Sequence, residues 1–236
     1  MDLCGTQRAK KEVVDDEMGE YWRCTAIEPG TRLRVGRGIA PTETQAAIEL
    51  WTQVKQRRAH QHNPPPVLSD GWGGHREALV QVYGQVPSYK GRGRPPTRKQ
   101  PGDKWHYAQM VKQRDEKGHL VGVEIRVIYG DDTTLERTGE RTTCVERTNL
   151  TSRHMNGRLV RKTLGYSKRL EMLRAACAWE DLVYNFARSV KTLRLEIDTN
   201  GKRWRQQSPA MAAGLTDHIW SIRDLLMCVP VPTRSI

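Results

Sequence analysis

Three carboxylates stand side by side at the end of Lys11 to Glu17 (Lys-Glu-Val-Val-Asp-Asp-Glu), where an apolar core strand finishes in Asp15, Asp16 and Glu17. Like charges a few ångströms apart raise one another's pKa, so crowding acids at a strand end is costly unless protons or cations neutralise them. A divalent metal is the usual solution. Two later acids could complete such a site: Asp70 in Val-Leu-Ser-Asp-Gly-Trp-Gly, and Glu146 in Cys-Val-Glu-Arg-Thr-Asn-Leu-Thr. Side chains alternate across a strand, so only one of Asp15 and Asp16 can face the site. Ser69-Asp70-Gly71 by itself reads equally well as an ordinary turn. Glu146 competes with Glu136 and Glu140, since a glutamate among arginines is usually a surface ion-pair partner.

Composition narrows the partner. The 236 residues suffice for one substantial core with a small appendage. A net charge of +12 and a pI near 9.7 imply a polyanion, and nucleic acid is the commonest one inside a cell. Mean hydropathy is −0.71, the chain has no long apolar run, and its start lacks the charged-then-apolar layout of a signal peptide. A soluble cytoplasmic protein without a membrane partner is therefore expected. Cys4, Cys24, Cys144, Cys177 and Cys228 are scattered without any Cys-x-x-Cys, which indicates neither a disulfide framework nor a zinc ribbon. His60 and His62 lie in a polar run beside Pro64, Pro65 and Pro66, as a solvated loop would. There is no Gly-x-Ser-x-Gly elbow and no Gly-x-x-x-x-Gly-Lys phosphate loop, and Val35-Gly36-Arg37-Gly38-Ile39-Ala40 lacks the third glycine of a dinucleotide fingerprint.

The elements that must position the acids follow from periodicity. Strands are expected to Glu17, over Tyr21 to Glu28 and over Arg32 to Ile39, joined by tight turns into a meander. Pro41 to Arg58 predicts a helix with Ala47, Trp51 and Val54 on one face; Val67 to Ser69 predicts a short strand ending at Asp70; His75 to Tyr83 predicts a helix with Leu79 and Val82 inward. That order opens a ribonuclease H-like fold, in which the first and fourth strands lie side by side and their acids meet. Pro87 to Asp103 is basic and rich in Gly and Pro, unable to bury enough apolar surface to order itself. Its Arg92-Gly93-Arg94-Pro95 resembles an AT-hook, and a basic loop without groove preference explains the same residues. Lys104 to Arg114 and Leu120 to Gly130 alternate as a hairpin, and helix resumes near Thr143. Ser167 to Val190 is the longest helical stretch, with Leu170, Leu173, Cys177, Leu182, Phe186 and Val190 facing in. Asn200 to Gln207 is a basic segment carrying Trp204, and Pro209 to Leu226 reads as two short helices parted near Gly214, the second capped by Thr216 or Asp217. Residues 1–190 thus form an expected catalytic domain with a basic loop at about 87–103, and 191–236 a basic, partly helical extension.

With the acids in this order, the chain resembles the DDE transposases of bacterial insertion sequences, closest to the insertion-sequence-one type. The matching stretches are Val14-Asp15-Asp16-Glu17, Ser69-Asp70-Gly71-Trp72-Gly73, and Val145-Glu146-Arg147-Thr148-Asn149-Leu150-Thr151 running into Arg158 to Thr163, with Tyr184-Asn185-Phe186 and Pro209-Ala210-Met211 later. The resemblance implies an α/β, ribonuclease H-like mixed sheet flanked by helices, with the basic loop and β-hairpin inserted before the last catalytic helix. It selects Asp16 as the first catalytic aspartate, Asp70 as the second and Glu146 as the glutamate. The amino-terminal zinc-ribbon and helix-turn-helix part of such proteins has no counterpart before the first strand, which leaves three readings open: a truncated copy, a catalytic reading frame with a separately encoded DNA-binding partner, or a decayed element. Synapsis of two transposon ends implies a homodimer or higher oligomer on DNA, nucleoid-associated in a bacterial cytoplasm.

Phosphodiester transfer needs one oxygen activated for attack and another stabilised as it leaves. Two Mg²⁺ or Mn²⁺ ions about 4 Å apart do both and take oxygen ligands. On the resemblance, Asp16 bridges the ions, Asp70 holds one and Glu146 the other. A helix through Glu146 sets Asn149 and Arg153 on its face, one and two turns along. Arg147, Arg161 and Lys162, with Arg92, Arg94, Arg98 and Lys99 of the basic loop, complete the expected DNA contacts, although a solvated helix face accounts for the helical ones nearly as well. The expected function is metal-dependent DNA cleavage and strand transfer. Two alternatives stand beside it: a ribonuclease H-like nuclease without strand transfer, and a DNA-binding remnant without chemistry.

Overall fold

Tyr21-Trp-Arg-Cys-Thr-Ala-Ile27 is rich in aromatic and β-branched residues and forms a strand. In the computed structural model, which describes residues 5–7, 21–89, 91, 93–139, 141–160, 163–199 and 202–228, the short strand Gly5–Gln7 (β1) pairs antiparallel with Tyr21–Ile27 (β2). β2 lies in turn beside Arg34–Ala40 (β3). The expected strand to Glu17, with Asp15 and Asp16, lies outside the described residues.

Helix α1, Glu43–Gln56, begins where Thr42 accepts a hydrogen bond from the Gln45 amide (3.3 Å), and it buries Ala46, Ala47, Leu50, Trp51 and Val54 as the pattern predicts. It lies against β3 closely enough that a Cβ on Gly38 would stand 1.8 Å from the Ala46 carbonyl oxygen. One stripe of α1 also covers the edge of β3. Gln53 Oε1 accepts from the Arg37 amide (2.9 Å), Glu49 Oε2 from the Ile39 amide (3.3 Å), and Arg57 Nη1 donates to the Val35 carbonyl (2.9 Å). The Gly-x-Gly of this strand therefore serves helix packing.

Val67–Asp70 (β4) leads through α2, Gly74–Tyr83, and the basic loop into Tyr107–Arg114 (β5), which runs parallel to β4, and Leu120–Tyr129 (β6) returns antiparallel. The hairpin expected from alternation forms, and its first arm is hydrogen-bonded to the strand that ends in Asp70. The result is a mixed three-stranded sheet in an α/β unit. Val67, Ser69, Tyr107 and Gln109 share one face of it, and Leu68, Asp70, Ala108, Met110 and Lys112 share the other. α2 lies on the first face, its Leu79 and Tyr83 in one core with Trp51, Val67, Trp105 and Tyr107. The short helix Thr134–Thr138 (α3) fills part of the expected polar linker, and Thr143–Met155 (α4) follows where helix was expected. Along β6 Val121, Val123 and Val127 are exposed.

The chain divides into two compact units, Met1–Ile27 with Val35–Leu170, and Glu28–Arg34 with Glu171–Ile236. The second is built on Leu170–Leu182 (α5), continued by a π-helical turn at Val183–Ala187. Leu173 and Cys177 are buried as expected, but Leu182 is exposed, because the helix turns Glu180, Asp181 and Tyr184 inward. Leu195–Thr199 (β7) and Lys202–Arg205 (β8) pair antiparallel, so the basic segment with Trp204 is an arm of a hairpin. Ser208 caps Pro209–Ala212 (α6). The last helix, Ile222–Met227 (α7), is capped by Ser221 in a reciprocal box with Asp224, which corrects the expected cap at Thr216 or Asp217. No helix among the described residues is long and apolar enough to cross a membrane.

Candidate active site

Asp70 is the last residue of β4, and its Oδ1 accepts the Trp72 amide (3.2 Å), the local turn that an aspartate before glycine favours. A buried polar chain holds this turn from below. Gln109 Nε2 donates to the Trp72 carbonyl (3.1 Å) and to the Tyr107 hydroxyl (2.7 Å), Tyr107 and Ser69 share a hydrogen bond (2.9 Å), and the Ser69 hydroxyl donates to the Asp70 carbonyl (2.8 Å). Burial pushes the Tyr107 phenol up to about 12, so it stays protonated and donates to Ser69. A polar residue in an otherwise apolar inward row, Trp105-x-Tyr107-x-Gln109-x-Val111, was the visible signal for this network.

Glu146 occupies the first turn of α4, where a carboxylate complements the helix dipole. Thr142, the residue before that helix, donates to Met110 Sδ (3.3 Å), and Lys112 Nζ donates to Glu146 Oε1 (2.5 Å). Met110 is the direct register partner of Asp70, and Lys112 lies two residues further on the same face. The start of α4 thus lies over the sheet face that carries Asp70. Both Glu146 and Lys112 are about half exposed, so their pairing is a surface one, and the carboxylate stands where a positive charge is accommodated. Neither Met110 nor Lys112 was visible to a reading by motif, because strand pairing across the α2 crossover is what aligns them.

Comparison with protein-family models, curated proteins and solved structures finds no match for this chain.

Of the other expected positions, Glu136 is an exposed residue of α3, and Glu140 and Asp16 lie outside the described residues. Among the described residues no three of His, Cys, Asp and Glu come together as a metal cluster. Arg147 and Arg153 are exposed on α4 with Asn149 half-buried between them, while Val145, Thr148, Thr151 and Ser152 form the buried face. Arg94, Arg98 and Lys99 are exposed in the loop before β5; Arg92, Arg161 and Lys162 are outside the described residues. His60 and His62 are exposed in a loop. Trp72 packs edge-on to His75 at 4.8 Å, and the Trp204 ring centroid is 4.0 Å from the Arg194 guanidinium and 5.2 Å from that of Arg203. Cys24, Cys144, Cys177 and Cys228 are not in disulfides.

Proposed function

We propose that this chain is the ribonuclease H-like catalytic part of a DDE transposase of the insertion-sequence-one type, cutting DNA and joining a 3′-hydroxyl to target DNA. The observation that carries the reading is the meeting of α4 with β5: Thr142 on Met110 and Glu146 on Lys112 bring the glutamate to the face where Asp70 stands at the end of the neighbouring strand. The donor set suits Mg²⁺ or Mn²⁺, since Asp70 and Glu146 offer carboxylate oxygens and the position of Glu146 already takes a cationic group. Such ions would lower the pKa of the attacking hydroxyl and stabilise the leaving oxygen. Asp70, braced by the Ser69–Tyr107–Gln109 chain, and Glu146, on a helix end, would hold them, with Asp16 as the third ligand. Arg147, Asn149 and Arg153 would contact the adjoining phosphates.

The test uses the full chain with Mn²⁺ or Mg²⁺, plasmid DNA and a labelled precut duplex that ends in free 3′-hydroxyls. Strand-transfer products are expected. Asp16→Asn, Asp70→Asn and Glu146→Gln should each reduce them by about a hundredfold or more, beyond the 10–100-fold typical of residues that only support a metal ligand. Hydrolysis without joining would favour the nuclease instead. The Lys112–Glu146 ion pair supports a second reading, a DNA-binding protein that has lost its chemistry, because an ammonium satisfies the carboxylate without a metal. Wild-type chain that binds DNA without cutting or joining it, with binding unchanged in Asp70→Asn and Glu146→Gln, would establish that one.

A further inference from the structure

On the sheet face opposite Asp70, an open groove of about 700 Å³ is lined by Arg76, Glu77 and Val80 of α2, Arg98 and Lys99 of the basic loop, and Tyr129 at the end of β6. The loop is anchored at this point. Gln85 and Gln100 exchange backbone hydrogen bonds (3.1 and 2.9 Å) across its base, and Lys99 Nζ donates to the Gln81 carbonyl of α2 (2.5 Å). Arg76 Nε donates to the Tyr129 hydroxyl (3.0 Å), with the guanidinium 5.7 Å from the ring centroid. An arginine carries five N–H donors and a lysine three, so these single bonds leave donors on both side chains for a ligand. Three cations face one carboxylate, Glu77, above a floor that Val80 and the Tyr129 ring make apolar.

We propose that this groove holds the sugar-phosphate backbone of a DNA segment other than the phosphodiester being cut. The occupant is read from charge complementarity together with shape. Phosphates would pair with Arg76, Arg98 and Lys99, while the sugars lie on Val80 and Tyr129. A compact anion would leave the apolar floor unused, and an extended strand uses both. The proposal rests on DNA being the partner of this chain. It does not need the acids to be catalytic, because α2 packs on the Tyr107–Gln109 face whereas Asp70, Met110 and Lys112 occupy the other.

The test is fluorescence anisotropy of a labelled duplex with the full chain, in EDTA so that no metal-dependent step contributes, at several salt concentrations. The triple variant Arg76→Gln/Arg98→Gln/Lys99→Gln should bind about tenfold or more weakly, with a salt slope smaller by roughly three, about one for each phosphate that is no longer neutralised. Glu77→Gln removes the opposing charge and should tighten binding about twofold, a gain that misfolding cannot produce. Unchanged affinity and slope in the triple variant would overturn the proposal, as would competition by polyglutamate at the same charge concentration as effective as that by DNA. A wild-type chain that cleaves DNA while the triple variant binds normally would remove the groove and leave the catalytic reading standing. Lost binding in the triple variant, with no cleavage by wild type in Mn²⁺, would do the reverse.

Discussion

His75, in the first turn of α2, is fully buried and neither ring nitrogen has a hydrogen-bond partner. Desolvation of the charged form lowers its pKa from 6.5 to about 3, so at neutral pH it serves as a neutral ring packed edge-on against Trp72. The unfolded chain binds this proton near 6.5 and the folded chain only near 3. Stability is therefore whole above about 6.5 and is lost as pH falls through that window, by up to about 1.4 kcal/mol per pH unit. His75→Leu, similar in volume and without orphaned nitrogens, should abolish that loss. Urea unfolding should find it about as stable as wild type or more so at neutral pH, and at about pH 5 roughly 2 kcal/mol further ahead. An equal gap between the two proteins at both pH values would mean that His75 is not the group responsible. In the candidate site, the Tyr107 phenol is held protonated and the polar chain under Asp70 carries no net charge. That chain fixes the backbone on which the carboxylate stands without competing for a cation.

At the scale of elements, α1 and β3 are fitted backbone to backbone. Gly36 and Gly38 fall on the same face of the strand, and a Cβ at the second would meet the Ala46 oxygen at 1.8 Å and the Leu50 nitrogen at 2.7 Å. Those are main-chain atoms of a helix and cannot step aside as a side-chain tip can. Gly38→Ala should cost about 3 kcal/mol, the upper end for overpacking, whereas Gly157→Ala, with nothing within 4 Å of its added carbon, should stay within about 0.5 kcal/mol. Thermal melting of the two variants compares them directly. The same pair of elements marks how far the sequence alone reached. The period of Ala47, Trp51 and Val54 announced the helix, and the run Arg32 to Ile39 announced a strand, but that α1 fills the face left bare by Gly36 and Gly38 is a tertiary fact. α2, the β5–β6 hairpin and α4 were legible for the same local reason. The β7–β8 hairpin was not, because Lys202-Arg-Trp-Arg205 is too polar to alternate. Leu182 was misplaced because the apolar period of α5 gives way to buried charge. Around the candidate site, the type and order of Asp70 and Glu146 were visible, but the placing of the α4 start over the sheet face of Asp70 was not, since it depends on the register of Asp70 with Met110, forty residues on in the chain.

At the scale of the whole molecule, Glu28–Arg34 is separated in sequence from Glu171–Ile236 yet belongs to the same compact unit, and one residue accounts for much of that. Arg34 is buried, pairs with Glu180 and with Asp181 (3.1 Å), and lies over the Tyr184 ring at 3.8 Å from its centroid. Its backbone is bonded as well: the Arg34 amide donates to Asn185 Oδ1 and the Arg34 carbonyl accepts from Asn185 Nδ2, both at 3.0 Å. Two carboxylates buried around one guanidinium are tolerable only while the cation is present, because each would otherwise carry its desolvation cost alone. Arg34→Leu should therefore cost about 3–5 kcal/mol, the range for breaking a buried ion pair from one side. Replacing the carboxylates together with the arginine, in Arg34→Leu/Glu180→Gln/Asp181→Asn, should recover part of that loss, since the penalty lies in the uncompensated charges. Arg34→Lys keeps the charge but loses the planar fork and the stack on Tyr184, and should fall between wild type and leucine. Urea unfolding ranks the four proteins, and limited proteolysis shows where the chain opens, with new cuts expected within 171–228 in Arg34→Leu. If that variant unfolds with the wild-type midpoint and cutting pattern, the guanidinium is not what joins the two separated segments, and the Asn185 bonds to the Arg34 backbone must hold them instead.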